Sequence, residues 1–387
     1  MKNMKEIIIG QMQNGPETLQ DIAISKKNGK DFVIEKNQMK QTIELLHMPR
    51  LDLIVTETKM VTKDARLIRL SSKTGYLPPF EAGQYINITV EIEGVRTTRP
   101  YSISSSPKQR AYYEIVVAKI KNGFVSSFLV DKVKQGDTFE ANGPAGVFHY
   151  NPVFHYQTSV FIAGGSGITP FMSMAKEVLE SGMHRKIHLL YGCRDEKVAI
   201  FHDQLTELAK MHDNFTYTLV LSDPKEKCNY TLGFIDKKCI TSSIGSAEKK
   251  TYYLCGPQVM IDFCTKELES LDVKPKDIRR EMFGSRQDIY NEAGWPKKLS
   301  GKEVFKLKIG DKIVDALSSE SILTALERHM VRVNVSCRSG ECSFCRAKLM
   351  SGKVFTPRGV LLRHADEVFG YIHTCKSYPI SDLEIAL

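Results

Sequence analysis

Residues Thr158 to Pro170 read TSVFIAGGSGITP, and this stretch decides the fold of the middle of the chain. Thr158 to Ala163 is a short apolar run of the kind a buried strand shows. Gly164 to Pro170 is a glycine-rich turn, and Phe171 to Glu180 then has helical spacing. Glycines between a strand and a helix let the backbone approach a phosphate, and the helix N-terminus favours its charge. Pro170 costs little in a first helical turn, where its missing N–H would be unpaired anyway. Taken alone, the glycine pair is equally a simple turn.

The pattern repeats downstream. Lys186 to Tyr191 reads as a strand, His202 to Met211 as a helix, and Phe215 to Leu221 and Tyr252 to Cys255 as further strands. A helix follows from about Gln258 to Leu271. This alternation predicts an α/β doubly wound parallel sheet. Cys255-Gly256-Pro257 ends a strand and opens a helix, as the first turn does, and two such turns at strand C-ends make one crevice. Gly165, Gly167, Thr169, Gly256 and Pro257 are therefore candidates for nucleotide binding.

Upstream, Leu51 to Thr58, Arg66 to Leu70, Gln84 to Ile92 and Tyr113 to Lys119 read as short strands, with turn signals at Lys73-Thr74-Gly75 and Glu93-Gly94. Their spacing predicts a small antiparallel β-barrel. Beyond the α/β region, residues 286–303 look like a linker, polar and holding Gly294-Trp295-Pro296; Trp295 is expected to pack between domains. Strand signals return at Val304 to Ile309 and Lys312 to Asp315, and Ile322 to His329 reads as a helix. The expected division is 1–50 as an N-terminal extension of no assigned role, 51–152 as the barrel, 153–285 as the nucleotide domain, and 304–387 as a last small domain. With 387 residues, two to three domains of about 150 residues are expected.

The last domain carries the sharpest signal. Cys337 to Cys345 reads C-x4-C-x2-C, and Cys375 follows after 29 intervening residues. Thiolates are soft ligands that suit zinc or iron–sulfur clusters. Zinc sites usually show two separated C-x2-C pairs, whereas three ligands on one loop and a distant fourth is the plant-type 2Fe-2S spacing. Zinc and unliganded cysteine are the competing readings. Gly340 lets the loop curl so that its N–H groups can face the cluster sulfurs. Cys193, Cys228, Cys239 and Cys264, scattered through the middle, read as core or surface thiols. Bunched cysteines in a chain without a secretory signature point to metal or redox chemistry rather than disulfides.

In the barrel, Arg99-Pro100-Tyr101-Ser102 closes a strand, with Ser104-Ser105-Ser106-Pro107 after it and Gly123-Phe124-Val125-Ser126 one strand further on. An ordinary strand edge would account for the first four residues alone. Arg is, however, the natural bidentate partner of a pyrophosphate. Tyr can lay its flat face on an isoalloxazine ring, and a Ser hydroxyl can reach the flavin N5 edge. Gly123, near a helix start, lets backbone amides approach a pyrophosphate.

The composition excludes other classes. Apolar residues make up 42% and charged residues 26%, which is ordinary for a soluble globular chain. No apolar run reaches the ~20 residues of a membrane-spanning helix, and Ile7-Ile8-Ile9 is too brief for a secretory segment; a cytoplasmic location is expected. The net charge of +9 fits a solvated surface, an acidic partner or phosphorylated cofactors. No long basic block or zinc-finger or RNA-binding signature points to nucleic acid.

The barrel motifs and both glycine turns resemble those of the ferredoxin–NADP reductase family of flavoproteins. Residues from Val304 onward resemble a plant-type ferredoxin, an α+β (β-grasp) domain with a 2Fe-2S cluster held by Cys337, Cys342, Cys345 and Cys375. The resemblance implies that Arg99 holds a pyrophosphate, Tyr101 stacks on the flavin and Ser102 bonds near N5. Gly123, Val125 and Ser126 match the family's second phosphate-binding segment, which favours FAD over FMN. It places Cys255 beside the nicotinamide, and it likens Glu281-Met282-Phe283-Gly284 to the family's terminal segment, with Phe283 as the aromatic that covers the flavin. NADPH users of the family carry a Ser-Arg pair where this chain has Ser222-Asp223, and a carboxylate would repel a 2′-phosphate. NADH is therefore the expected donor, with Arg194, Lys225 and Lys227 as the residues that would serve NADPH.

The implied function is an NAD(P)H-dependent electron-transfer reductase that passes electrons through FAD and a 2Fe-2S cluster to a partner redox protein or oxygenase. The alternatives are an electron-input subunit of a larger stable redox complex and a flavoprotein dehydrogenase acting on an organic substrate. Plant ferredoxins are usually acidic, but residues 304–387 hold more Lys and Arg than Asp and Glu. Arg338, Arg346 and Lys348 on or beside the cluster loop lead us to expect an acceptor with an acidic docking face.

Overall fold

The computed structural model describes residues 50–387, apart from 122, 283–287, 341, 358, 359 and 361, together with scattered positions before residue 50. Residues 50–387 form one compact unit. The expected N-terminal extension and Phe283 lie largely or wholly outside the described residues.

The unit opens with six antiparallel strands: β1 (Leu51–Thr62), β2 (Ala65–Ser72), β3 (Tyr85–Ile92), β4 (Val95–Ser102), β5 (Tyr113–Ala118) and β6 (Thr138–Ala145), with helix α1 (Phe124–Asp131) between the last two. Along β1, Leu51, Leu53 and Val55 point inward at period two, the pattern of a strand with one buried face. Fully burying each such side chain contributes about 1.5–3 kcal/mol. The strands run in the order β4-β3-β6-β1-β2-β5. Register shifts in β1 at Val55/Glu57 and Met60/Thr62 bend the sheet. An Ile103–Ile115 bridge and the Ser104 N–H to Glu114 carbonyl bond (2.7 Å) tie the end of β4 to β5, so the sheet curls into a barrel.

The second sheet is wholly parallel. It comprises β7 (Thr158–Gly164), β8 (Lys186–Cys193), β9 (Phe215–Leu221), β10 (Thr231–Leu232), β11 (Thr251–Cys255) and β12 (Ile278–Glu281), in the order β10-β9-β8-β7-β11-β12. Helices α2 (Thr169–Glu180), α3 (His202–Met211), α4 (Lys237–Ile244) and α5 (Gln258–Glu269) connect the strands. Because β8 and β11 flank β7 on opposite sides, the strand order reverses at β7, and a crevice opens at its C-terminal end. The barrel and this sheet share an apolar cluster: Ala65, Leu67 and Val116 join Phe161, Phe171 and Met174. On α2, the Ser173 hydroxyl donates to the Ser105 carbonyl (2.7 Å), fixing the helix to the loop that follows the flavin-motif strand.

The third sheet has the order β14-β13-β19-β15-β17. Its strands are β13 (Val304–Ile309), β14 (Lys312–Leu317), β15 (Arg346–Ser351), β17 (Tyr371–His373) and β19 (Leu383–Ala386); β16 (Val354–Phe355) and β18 (Tyr378–Pro379) form a separate pair. Helix α6 (Ile322–Arg328) lays Ile322, Ala325 and Leu326 against Leu307, Val314 and Ala316, and α7 (His364–Val368) precedes β17. The Ser321 hydroxyl accepts from the Thr324 N–H and caps α6. Trp295 packs edge-on against Phe355 and clusters with Tyr378, with its indole N–H donated to the Leu299 carbonyl (2.8 Å). These partners place the tryptophan against the C-terminal domain rather than between two domains. Its expected role is corrected accordingly: the polar linker needs an apolar anchor, and that domain supplies one.

Candidate functional site

The crevice at the end of β7 holds a cavity of about 730 Å3. Its walls include Gly165, Ser166, Arg194, Ser222 and Pro257, with Thr62, Asp64 and Lys119 contributed by the barrel. The two glycine turns meet backbone to backbone. A Cβ on Gly167 would lie 2.1 Å from the Cys255 carbonyl oxygen, and one on Gly164 would lie 2.4 Å from Met260 Sδ. The turns are thus as close as two chains without side chains allow, which is the glycine requirement of a dinucleotide crevice. Gly256 has φ +156° and abuts Gly164. The Thr169 hydroxyl is turned into its own loop, donating to the Ser166 carbonyl (2.7 Å).

Beyond the C-terminal ends of β8 and β9, Asp223 pairs with Lys225 (2.6 Å) on an exposed surface, and its backbone N–H donates to the Arg194 carbonyl (2.8 Å). Cys255 is buried, and Glu281 lies opposite it in the β11–β12 register. Burial, reinforced by the Glu281 charge, pushes the Cys255 thiol well up, so it is a neutral thiol.

The flavin motif ends β4. Arg99 donates to Thr97 Oγ1 (2.7 Å) and to the Thr98 carbonyl (2.8 Å). Both are neutral oxygens, and among the described residues no carboxylate pairs with Arg99. Burial, and after it the charge of Arg338, draws its pKa down to about 10. A largely desolvated guanidinium that feels the Glu327 charge only through space, that carboxylate being paired with Arg338, fits a phosphate-bearing ligand, whose charge would offset the remaining cost. Tyr101 is pushed up by burial, so it stays a neutral phenol, and Ser102 is buried. Gly123 caps α1, and a Cβ there would meet Ser126 Oγ at 2.2 Å. Val125 is buried, and the Ser126 hydroxyl accepts from the Ile120 N–H (3.1 Å), which fixes the turn ahead of the helix.

The four cysteines of the last domain come together as two pairs. Cys345 and Cys375 have sulfurs 3.2 Å apart, and the Cys342 side chain is hydrogen-bonded to Cys337, all four being free thiols. The backbone N–H groups of Ser339 and Cys342 both donate to Cys337 Sγ at 3.4 Å. The Cys342 thiol, with Ser339 and these backbone N–H groups, holds Cys337 below the usual thiol range. The loop reaches this shape through left-handed residues Arg338, Gly340 and Ser343, with φ of +55°, +87° and +59°. Among the described residues, no three His, Cys, Asp or Glu side chains form a single-ion site. The pairing of the four thiols, two and two, fits a two-iron cluster held by four cysteines.

The sequence reading missed several residues here. Asn87, Thr97, Thr98, Asn142, Glu327 and Ser336 link the cluster loop to the barrel. His373 is buried with Nδ1 2.8 Å from the Gly340 carbonyl, and Thr374 Oγ1 donates to the Cys345 carbonyl (2.9 Å). None lies in a spacing motif; the cues the sequence offers are adjacency, of His373 and Thr374 to Cys375, of Ser336 to Cys337, and of Thr97 and Thr98 to Arg99. Arg338 was expected on an exposed docking face, and this is corrected. It is 8% exposed, because it turns inward to Glu327 and β4. Arg346 pairs with the buried carboxylate of Asp366 (3.0 Å) and sits over the Tyr371 ring, so its charge is largely balanced.

The fold and site define a pyridine-nucleotide-dependent flavoprotein with a 2Fe-2S centre. Comparison with known proteins agrees. The oxidoreductase FAD-binding domain family matches residues 52–150, the oxidoreductase NAD-binding domain family 161–266, and the 2Fe-2S iron-sulfur cluster binding domain family 308–379. The phenol hydroxylase P5 protein of Acinetobacter pittii is 33% identical over 54% of this chain, and the match spans 59% of that protein's length. NADH-cytochrome b5 reductase 1 of Dictyostelium discoideum is 31% identical over 51% of this chain and 68% of its own. The solved structure of phthalate dioxygenase reductase, described as a modular structure for electron transfer from pyridine nucleotides to [2Fe-2S], superposes with a TM-score of 0.63 at 26% identity. It covers 87% of this chain and 98% of that one. The chain belongs to the ferredoxin–NADP reductase family of flavoproteins, in the branch that carries a C-terminal plant-type 2Fe-2S domain. It is an oxidoreductase using FAD, NAD(P)H and a 2Fe-2S cluster. Among the described residues, no helix is long and apolar enough to cross a membrane.

Proposed function

We propose that this chain is the reductase component of a multi-protein redox system in the cytoplasm, taking electrons from NADH and delivering them singly to an acceptor protein. One observation carries the reading: the cluster loop is seated on the strand that bears the flavin motif, within the unit that also holds the nucleotide crevice. Relatives named for phenol hydroxylase and phthalate dioxygenase point to an oxygenase-type acceptor. When bound, FAD supplies the conversion of a two-electron donor to one-electron steps, and the cluster supplies the one-electron outlet. In this reading the domains run 51–152, 153–285 and 304–387.

The side chains divide the work. Arg99 and the α1 N-terminus at Gly123, Val125 and Ser126 hold the pyrophosphate. Tyr101 orients the ring, and Ser102 presents a hydroxyl to its N5 edge. Gly165, Gly167, Gly256 and Pro257 admit the dinucleotide, with Thr169 bracing the first turn, while Arg194 and Ser222 face its adenosine end. Cys255 and Glu281 shape the nicotinamide end; the neutral thiol lets Cys255 act by contact rather than by charge. Cys337, Cys342, Cys345 and Cys375 hold the cluster.

NADH should give the higher kcat/KM, and Asp223→Arg should narrow the gap. Because Asp223 is exposed and already paired with Lys225, its repulsion of a 2′-phosphate is screened, and a change of about tenfold, ~1.4 kcal/mol of barrier, is expected. Steady-state assays with both nucleotides check this; an unaltered chain that prefers NADPH tenfold would refute the NADH reading.

The acceptor is proposed to dock over the cluster loop, where Phe344 is 65% exposed between Cys342 and Cys345. Lys348, and Arg346 to the extent that Asp366 leaves it uncompensated, would favour an acidic face. Reduction of an acidic haem protein by the NADH-reduced chain should then slow as salt rises, because exposed charges are screened beyond about 8 Å at physiological ionic strength. A rate insensitive to salt would count against the acidic face.

A further inference from the structure

We propose that Arg338 is a positioning residue: it clamps the cluster loop onto the flavin strand, and electron passage from flavin to cluster depends on that clamp. The first cluster cysteine, Cys337, is bracketed by two residues bonded to the barrel. On one side the Ser336 hydroxyl accepts from Asn87 Nδ2 (2.9 Å) and donates to Asn142 Oδ1 (3.4 Å). On the other, Arg338 donates from Nε to the Thr98 carbonyl (2.8 Å) and from Nη2 to Thr97 Oγ1 (3.1 Å). The same guanidinium grips Glu327 on α6 with both terminal nitrogens.

A carboxylate of the C-terminal domain thus balances a cation that reaches across to the barrel. Arg99 donates to the same two oxygens, Thr97 Oγ1 and the Thr98 carbonyl. The arginine assigned to the flavin phosphate and the arginine beside the first cluster ligand therefore share one pair of acceptors. Charge-assisted bonds at a buried contact are the strong ones, and removing one partner leaves the others unsatisfied. Two cations so close also need a fixed anion, and Glu327 is that anion. Remove it, and mutual repulsion drives the loop from the strand.

The step concerned moves one electron: the NADH-reduced flavin loses it, and one ferric iron of the cluster becomes ferrous, with no bond made or broken. The proposal rests on the flavin-to-cluster route. If that route were wrong, NADH would fail to bleach the cluster of the unaltered chain. If only the clamp were wrong, unaltered and variant chains would bleach alike.

The test uses the full chain with its flavin and cluster, as Arg338→Gln, Arg338→Lys and Glu327→Gln. Anaerobic mixing with NADH should show flavin reduction at the parental rate. Cluster reduction should be roughly tenfold slower in Arg338→Gln and Glu327→Gln, with Arg338→Lys in between. Hydrogen exchange of residues 334–340 should rise by a similar factor, while residues 304–317 keep their protection, showing that the domain is folded but undocked. Glu327→Gln leaves the cluster loop's own sequence intact and decides the matter where Arg338→Gln loads its cluster poorly. Parental cluster reduction in Glu327→Gln, or slowed reduction with unchanged exchange at 334–340, would overturn the clamp.

Discussion

Cys345→Ser is expected to remove the 2Fe-2S absorbance and the paramagnetic signal of the reduced cluster together, while the protein still binds FAD and still reduces ferricyanide with NADH. Cys345 lies 3.2 Å from Cys375, sulfur to sulfur, and both are buried. A serine oxygen is a harder and poorer match to iron–sulfur chemistry than a thiolate. Losing one member of the pair leaves a single protein ligand where two are needed. The fold should survive upstream, because the barrel and the parallel sheet have an apolar cluster of their own around Phe161, Phe171 and Leu189. Ferricyanide, a small ion, can draw electrons directly from the flavin, whereas cytochrome c, a protein too large to enter the flavin site, is expected to take them through the cluster. Cytochrome c reduction should therefore fall to the level of a flavin without its cluster. Full cytochrome c reduction by a variant shown to lack the cluster would mean that electrons leave by another route.

The division of that experiment follows what was legible in the chain. The cluster ligands could be read because C-x4-C-x2-C is a local spacing, set by a loop that must fold on itself within nine residues, Cys337 to Cys345. The glycine turns could be read for a similar reason, since Gly164 to Pro170 declares its own strand, turn and helix. The contacts that assemble the site could not. Thr97, Asn87 and Glu327 carry no local pattern; they matter because three separate stretches of chain converge on the cluster loop.

The misreading of Arg338 has the same origin. A basic residue on a ligand loop reads as surface charge, and only the tertiary placement of Glu327 and β4 turns it inward. Trp295 was misplaced likewise, because its partners Phe355 and Tyr378 lie far along the chain.

Gly167→Ala is expected to cut kcat/KM for NADH by roughly a hundredfold, about 2.7 kcal/mol of barrier, with most of the loss in KM and the FAD retained. The added Cβ would stand 2.1 Å from the Cys255 carbonyl oxygen, 2.4 Å from its carbon and 2.7 Å from the Gly256 nitrogen. All three are backbone atoms, so no side chain can swing aside. Relief requires the two turns to part, yet β7 and β11 are laddered up to Ala163–Cys255, only a few residues away. The strain therefore concentrates at the crevice and displaces the turns that should cradle the dinucleotide. The flavin motif lies on β4 and α1, outside this collision, so FAD content should hold. Gly182→Ala supplies the comparison. Gly182 follows the C-terminal end of α2 at φ +63°, and a Cβ there meets nothing within 4 Å. That change should cost about 1 kcal/mol of stability through left-handed backbone strain and leave KM for NADH alone. Thermal unfolding and steady-state kinetics on both variants separate the two effects. A Gly167→Ala protein with an unaltered KM for NADH would show that the turns can part without cost to nucleotide binding, and the crevice would then lie elsewhere.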